Sequence, residues 1–394
     1  MAEKYMIEPD LDFIDEVRAL GGDTLKKCFQ CATCSVACPI APEDSPFPRK
    51  EMIAASWGLK DRLVSSGDIW LCHNCGDCTT LCPRGAKPGE VLGAIRSMAI
   101  TEYSPMKFVA KMVNDPKKLP ILLGIPAVIF AVLAAVTIFG GETLAGIFGG
   151  KFWYHTHSGH PVEGIAHSKF MSTWFVDMVF VPLAGFVVIS FALGLKRFIA
   201  DIHENAVREG KTDKERIELK PFLESVVPVL LRVLKHDRFN ECGENKERST
   251  AHMMVLFSFI ALFVVTNIFF VVLYVFHLPG PYSQLNPVKW LANIGGVALV
   301  IGSLLMIKNR LGKGDDQPST YKDWYILGIV LGLGVTGLMA EMTRLAGSAF
   351  LAYFTYYLHL ILIFNLFAFL PFSKMAHLVY RFVAMVYEEY SNRN

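Results

Sequence analysis

Cys28-Phe29-Gln30-Cys31-Ala32-Thr33-Cys34-Ser35-Val36-Ala37-Cys38-Pro39 is followed, further along the chain, by Cys72-His73-Asn74-Cys75-Gly76-Asp77-Cys78-Thr79-Thr80-Leu81-Cys82-Pro83. The two stretches hold eight of the nine cysteines in two copies of one spacing, C-x2-C-x2-C-x3-C-P. Three thiolates at two-residue intervals can wrap one face of a cubane while backbone amides turn toward its sulfurs. The fourth, followed by Pro, is carried away from its own loop and ligates the other cluster. The spacing therefore predicts two [4Fe–4S] clusters, one on Cys28, Cys31, Cys34 and Cys82, the other on Cys72, Cys75, Cys78 and Cys38. Zinc is the competing metal, but zinc ribbons use two separated C-x2-C pairs rather than three-plus-one runs ending in Pro. The opening Met1–Val17 is acidic without an apolar run, so it does not read as a secretory leader. Cysteines facing a reducing cytosol disfavour a disulfide frame.

Helical patterns fill the interval between the motifs: Pro48-Arg-Lys-Glu-Met-Ile opens one and Leu59-Lys-Asp-Arg-Leu-Val continues it. Residues 1–105 thus read as a soluble α-helical domain, 106–120 as a linker punctuated by Pro116 and Pro120. No Gly-rich nucleotide loop occurs in it, which points to an electron conduit rather than a flavin or nicotinamide enzyme.

Beyond residue 120 the character changes. Apolar residues make 53% of the 394-residue chain and charged ones only 19%, below the roughly one quarter usual in soluble domains. From Met253 to Ile307, 55 residues carry a single formal charge, Lys289. A purely soluble protein and a disordered one are both excluded. The net charge of +2 argues against nucleic acid as a partner. Six spans, near 121–139, 174–195, 253–276, 291–307, 324–345 and 350–370, approach the ~20 residues a helix needs to cross a bilayer. The expected fold is all-α: a helical cluster domain followed by a six-helix membrane domain over 121–371, with an insertion at 196–251 and a tail from 372.

Lys and Arg alternate strictly between connections. The loop 196–252 holds twelve and 308–323 four, against two in 140–173, one in 277–290 and none in 346–349. Positive loops face the cytoplasm, so both termini and the cysteine domain are expected there, in a multi-pass protein of the cytoplasmic (inner) membrane. Within the insertion, Ile217–Lys235 is amphipathic but interrupted at Pro221 and Pro228, which suggests an interfacial helix or a platform for a partner. Cys242, on the same basic loop, reads as structural.

Four histidines bear on the spans: His252, His277, His359 and His377. His359 and His377 are 18 residues apart, about five turns at 3.6 residues per turn, so they share one helix face ~27 Å apart, at opposite membrane depths. Imidazole is a common axial ligand of haem iron, and His252 starts the third span level with His377. A pair His252–His377 for one haem b, and His359 for a second, follow as candidates. Lys289, Asp177 and Glu341 are ionisable groups inside or at the edges of the spans; for Lys289 the bland reading is interfacial snorkelling.

These motifs carry resemblances. The cysteine domain, with its Ile69-Trp70-Leu71-Cys72 lead-in and Cys82-Pro83-Arg84-Gly85 lead-out, resembles the iron–sulfur C component of heterodisulfide reductase. Leu358-His359-Leu360-Ile361-Leu362 and Leu370-Pro371-Phe372-Ser373-Lys374-Met375-Ala376-His377 are similar to the last helix of the gamma subunit of respiratory nitrate reductase, a five-helix domain with two b haems. That resemblance implies His252, His359 and His377 as haem ligands and Lys289 as a quinol-binding residue. The fourth ligand position falls on Leu262. His277, or one of the loop residues His155, His157, His160 and His167 folded inward, could replace it; otherwise the outer haem is five-coordinate or absent.

Together the two halves resemble the family of membrane subunits of quinone-interacting membrane-bound oxidoreductases from sulfate-reducing organisms. The resemblance implies an oxidoreductase subunit moving electrons between menaquinone and two soluble flavin and iron–sulfur subunits akin to the A component of heterodisulfide reductase, and on to adenylylsulfate reductase. Alternatives are the membrane subunit of a heterodisulfide-reductase-like or sulfite-reductase-linked complex, or a non-redox iron–sulfur membrane anchor.

Overall fold

The computed structural model describes residues 8–43, 45–236, 248–312 and 319–391. Cys242 lies outside them. Among the described residues every regular element is helical and no strand occurs.

The cysteine domain is built from short helices. Asp10 accepts the Phe13 amide at 2.8 Å to start α1 (Leu11–Val17), and α2 (Thr33–Val36) lies inside the first motif. The patterned interval folds as α3 (Arg49–Ser56), α4 (Lys60–Val64) and α5 (Asp68–Leu71). Gly58 separates the first two at φ +69, where a Cβ would lie 2.6 Å from the Asp10 carbonyl oxygen. Helix α6 (Asp77–Thr80) lies within the second motif. Helix α7 (Pro88–Tyr103) begins with Pro, which has no N–H to leave unsatisfied there, and supplies the domain's apolar spine through Val91, Leu92, Ile95 and Ala99.

The stretch read as a linker is itself helical, with α8 (Lys107–Val113) and a turn at Pro116–Lys118 leading into α9 (Leu119–Phe148). Two small helices, α10 (Gly150–Tyr154) and α11 (His167–Phe170), interrupt the following loop. Then come α12 (Thr173–Arg208), α13 (Leu219–Glu224) and α14 (Val226–Lys235). The remaining long helices are α15 (Arg248–Tyr274), α16 (Pro287–Leu311), α17 (Tyr321–Leu345) and α18 (Ala349–Phe369). Asn286 caps α16 and a Thr320–Asp323 capping box starts α17. Six of these helices, namely α9, α12 and α15–α18, are long and apolar enough to cross a membrane.

Two differences from the sequence expectation matter. First, α12 runs 13 residues past the predicted end at 195, because its last turns bury Phe198, Ile202 and Ala206 in the core of the cysteine domain. Second, His359 and His377 do not share one helix. The chain leaves α18 in a turn at Leu370–Phe372 and restarts through Lys374–Ala376 into α19 (His377–Tyr390). Pro371 cannot donate the next helical hydrogen bond, and the Ser373 side chain accepts the Met375 amide instead. The helix arithmetic linking the two histidines therefore does not apply.

The segment 217–235 folds as two helices rather than a span. Only Val229 of α14 is fully buried, against α19, while Leu223, Val227 and Leu231 stay exposed.

Candidate functional site

The cysteines fall into two groups. Cys28, Cys31, Cys34 and Cys82 line one shared cavity with Arg49 and Arg84. Cys38, from the first motif, instead faces Cys72 and Cys75, and Cys78 faces the same two thiols. Four thiols arranged around one cavity fit the separated irons of a cubane. Burial, with Cys28 next in effect, pushes the Cys34 thiol up to about 11, and burial pushes Cys38 to about 12. Thiols that resist ionisation alone are held as thiolates by cluster iron.

The two loops meet different surroundings. Around the first, Cys31 is exposed, Val36 is 87% exposed and Phe29 lies open under the Arg84 guanidinium at 3.9 Å. The second is enclosed, with Cys72 and Cys78 buried. Three guanidiniums grip its backbone: Arg96 Nη1 donates to the Cys72 carbonyl at 2.7 Å, Arg248 Nη1 to Asn74 at 3.2 Å, and Arg381 Nη2 to Leu71 at 3.3 Å. Arg248 begins α15, one turn before His252; Arg381 lies one turn after His377 in α19. The second loop thus docks on the helix ends that carry two of the candidate haem ligands.

Aromatic packing closes the same joint. Trp70, two residues before Cys72, stacks on Tyr380 at 5.2 Å, and Phe198 of α12 sits edge-on to both. Tyr103 completes the cluster. An ion network locks its flank: the fully buried Asp68 meets Lys50 at 2.6 Å and Lys211 at 3.0 Å, and Arg62 meets Glu209 at 2.7 Å.

In the membrane domain each predicted histidine ligand has its Nδ1 engaged. His377 Nδ1 donates to the Lys374 carbonyl at 2.5 Å. Thr336 Oγ1 donates its only proton to the Gly332 carbonyl at 2.7 Å, so it accepts from His359 Nδ1 at 3.0 Å. His252 Nδ1 lies 2.9 Å from His236 Nε2. For His377 and His359 the engaged Nδ1 leaves Nε2 as the nitrogen that could reach iron, and a fixed Nδ1 is what orients a metal-binding imidazole. Gly337 makes room at His359, since a Cβ there would come 3.0 Å from the ring. These residues fit haem ligation.

At the opposite end of the bundle, His167 tucks inward. It stacks on Tyr356 at 4.5 Å, one turn before His359, with the Ala340 carbonyl beside its ring and its Nε2 buried without a partner. Burial, followed by Arg344, holds its pKa down to about 4. Leu262 points instead at Gly295 of α16. His277 is exposed at the end of α15, as are His157 and His160; His155 is buried between Trp174 and Tyr274. Lys289 pairs with Glu341 at 2.6 Å, and Gln284 donates to the same carboxylate at 2.6 Å. Asp177 accepts a hydrogen bond from Tyr274. Sequence reasoning missed His236, Thr336 and the three arginines, because contacts across the fold leave no local pattern.

Residues 24–86 match the 4Fe-4S dicluster domain family. The chain is 37% identical over 91 residues to the C component of the H(2):CoB-CoM heterodisulfide,ferredoxin reductase of Methanothermobacter marburgensis, covering 23% of this chain and 49% of that protein. The protein of the same name from Methanothermobacter thermautotrophicus gives the same identity and coverage. A protein of Archaeoglobus profundus, described as like the C component of heterodisulfide reductase, is 33% identical over 105 residues, 26% of this chain and 56% of that one. The chain spans about half the length of these curated relatives. No solved structure matches it.

Proposed function

We propose that this chain is the membrane electron-transfer subunit of a quinone-linked oxidoreductase complex. Electrons pass between menaquinone and soluble flavin and iron–sulfur partners through haem b and two [4Fe–4S] clusters. The observation that carries the reading is the joint itself: the buried cysteine loop is hydrogen-bonded to the helix ends bearing His252 and His377, so a cluster and a haem would be neighbours.

In this reading Cys28, Cys31, Cys34 and Cys82 hold the solvent-facing cluster, and Cys72, Cys75, Cys78 and Cys38 the enclosed one. His252 and His377 hold a haem b at the cysteine-domain end, and His359 is a ligand toward the other end. Haem supplies one-electron exchange with a two-electron quinol. Lys289, with Glu341 and Gln284, binds quinone at the far end. The cysteine domain and both described ends of the chain lie in the cytoplasm, as the charge alternation requires. The partners are flavin and iron–sulfur subunits akin to the A component of heterodisulfide reductase. Adenylylsulfate reductase in dissimilatory sulfate reduction is the terminal partner. The names of the relatives favour a second reading, service in a complex of the heterodisulfide reductase type.

The test is a haem and iron count on the purified chain, followed by reduction with a menaquinol analogue while b-haem absorbance is monitored. Haem reduced by quinol is expected. A chain with both clusters and no haem would sink the quinone reading and leave an iron–sulfur membrane anchor.

A further inference from the structure

We propose that Arg96, Arg248 and Arg381 form a guanidinium clamp that raises the reduction potential of the cluster on the second cysteine loop and makes it the electron-accepting cluster at the membrane. The inference rests on the cluster assignment above and deepens it; the tuning of the potential does not depend on the haem, the accepting role does.

Reduction adds one electron to a [4Fe–4S] cluster, 2+ to 1+, with no proton and no bond exchanged. The donor, a ferrous haem b in the reading above, loses one electron. The added negative charge is costly in an enclosed site, and the second loop is the enclosed one. Left alone, burial would make this cluster the harder of the two to reduce. The clamp opposes that. Three permanent positive charges bind the carbonyls of Leu71, Cys72 and Asn74. Burial pushes the Cys72 thiol up, the charges of Arg96 and Arg381 act on it in the opposite direction, and Arg248 interacts electrostatically with Cys75. Amides point the same way: Asn74 N–H donates to Cys72 Sγ at 3.3 Å, and the Gly89 amide, at the start of α7, faces Cys78. Hydrogen bonds to the sulfurs and net local charge are established levers on cluster potential. Gly89 admits no side chain, because a Cβ would lie 2.4 Å from Asn74 Oδ1. The first loop has Arg49, whose Nε donates to Gln30 at 3.1 Å, and Arg84 over Phe29, but both are exposed, where solvent and salt screen them.

The experiment is an EPR-monitored redox titration of both clusters in the full chain, comparing the native protein with Arg248→Gln, Arg381→Gln and Arg381→Lys, and with Arg49→Gln as the control on the first loop. Each Gln substitution in the clamp is expected to lower the midpoint of one cluster by up to a tenfold change in its reduced-to-oxidised ratio, about 59 mV for one electron. The other cluster should hold its midpoint. Arg381→Lys should recover most of the shift, and Arg49→Gln should move only the other cluster, by less. Unchanged midpoints, equal shifts in both clusters, or an Arg381→Lys variant as low as Arg381→Gln would overturn the proposal. Iron and sulfide are counted on every variant. If both clamp variants lose the second cluster's iron, the arginines are structural and tuning is wrong. Haem content is measured alongside: a chain without haem would end the quinone reading while leaving the cluster midpoints to decide the clamp.

Discussion

The two cysteine loops share one spacing and part company in everything around it. The first opens to solvent beside Phe29 and Val36; the second is docked between α7, α15 and α19 under three arginines, with Cys72 and Cys78 buried. One motif therefore stands in two settings. Ligand spacing fixes which cofactor is bound, whereas the neighbouring elements fix how hard that cofactor is to reduce and what it can exchange electrons with. An exposed loop suits a soluble partner arriving from outside, and an enclosed one suits a donor fixed in the same chain.

The largest test of this asymmetry removes one thiol from each loop. Cys31→Ser should cost one cluster and leave the domain folded, because Cys31 is exposed and packs against little. Cys78→Ser should cost the other cluster and also loosen the domain from α15 and α19, since Cys78 is buried in the docked loop. Iron and acid-labile sulfide should fall by half in both, while limited proteolysis near residue 105 should quicken only in Cys78→Ser. Equal protease sensitivity would break the comparison.

Next in size is Trp70→Ala, which removes the ring that stacks on Tyr380 at full burial. Truncating a buried aromatic costs about 3–5 kcal/mol, so the midpoint of thermal loss of cluster absorbance should drop by several degrees. A substitution at exposed Trp57, on the same domain, should be nearly silent. Gly194→Ala attacks the joint from the membrane side. A Cβ at Gly194 would come 2.4 Å from the Tyr380 hydroxyl and 3.0 Å from the Tyr103 carbonyl oxygen. Overpacking of that kind costs about 1–3 kcal/mol, read by the same melt. If Gly194→Ala melts like the native chain, the two halves are less tightly joined than their contacts imply.

How much of this is legible in the sequence divides along the same line. The cysteine spacing and the six apolar spans are local signals, one a motif and the other a composition, and both are readable without a fold. The all-α architecture follows from them. Span ends read short where a helix goes on to do a second job, as α12 does by burying Phe198 and Ile202 in the cysteine domain. The joint is not legible: Trp70 reads as part of a lead-in to Cys72, and Arg248 and Arg381 as two more charges in basic connections. Their partners are backbone carbonyls 174 and 310 residues away. The break at Pro371 is visible as the end of a span, yet helix arithmetic for His359 and His377 runs straight through it. His167 is one of four histidines in a loop, and only the folded chain shows that it stacks on Tyr356 beside His359.

The smallest effect concerns the carboxylates under the joint. Glu51 is buried, and burial, followed by the adjacent Asp68 carboxylate, holds its pKa well above the ordinary carboxylate range; Lys50 and Lys211 offset this only in part. The folded state then keeps a proton that the unfolded chain gives up near its usual pKa. Stability from this group is fully present below that pKa and is lost as pH rises toward the alkaline side of neutrality. Glu51→Gln cannot ionise and escapes the loss. The gap in melting midpoint between Glu51→Gln and the native chain should therefore widen in favour of the variant as pH is raised from acid through neutral to mildly alkaline. A gap that narrows with pH would mean that Glu51 is ionised in the folded chain and that Lys50 and Lys211 hold it there, placing a net favourable ion cluster beneath the docked loop and strengthening its contrast with the open one.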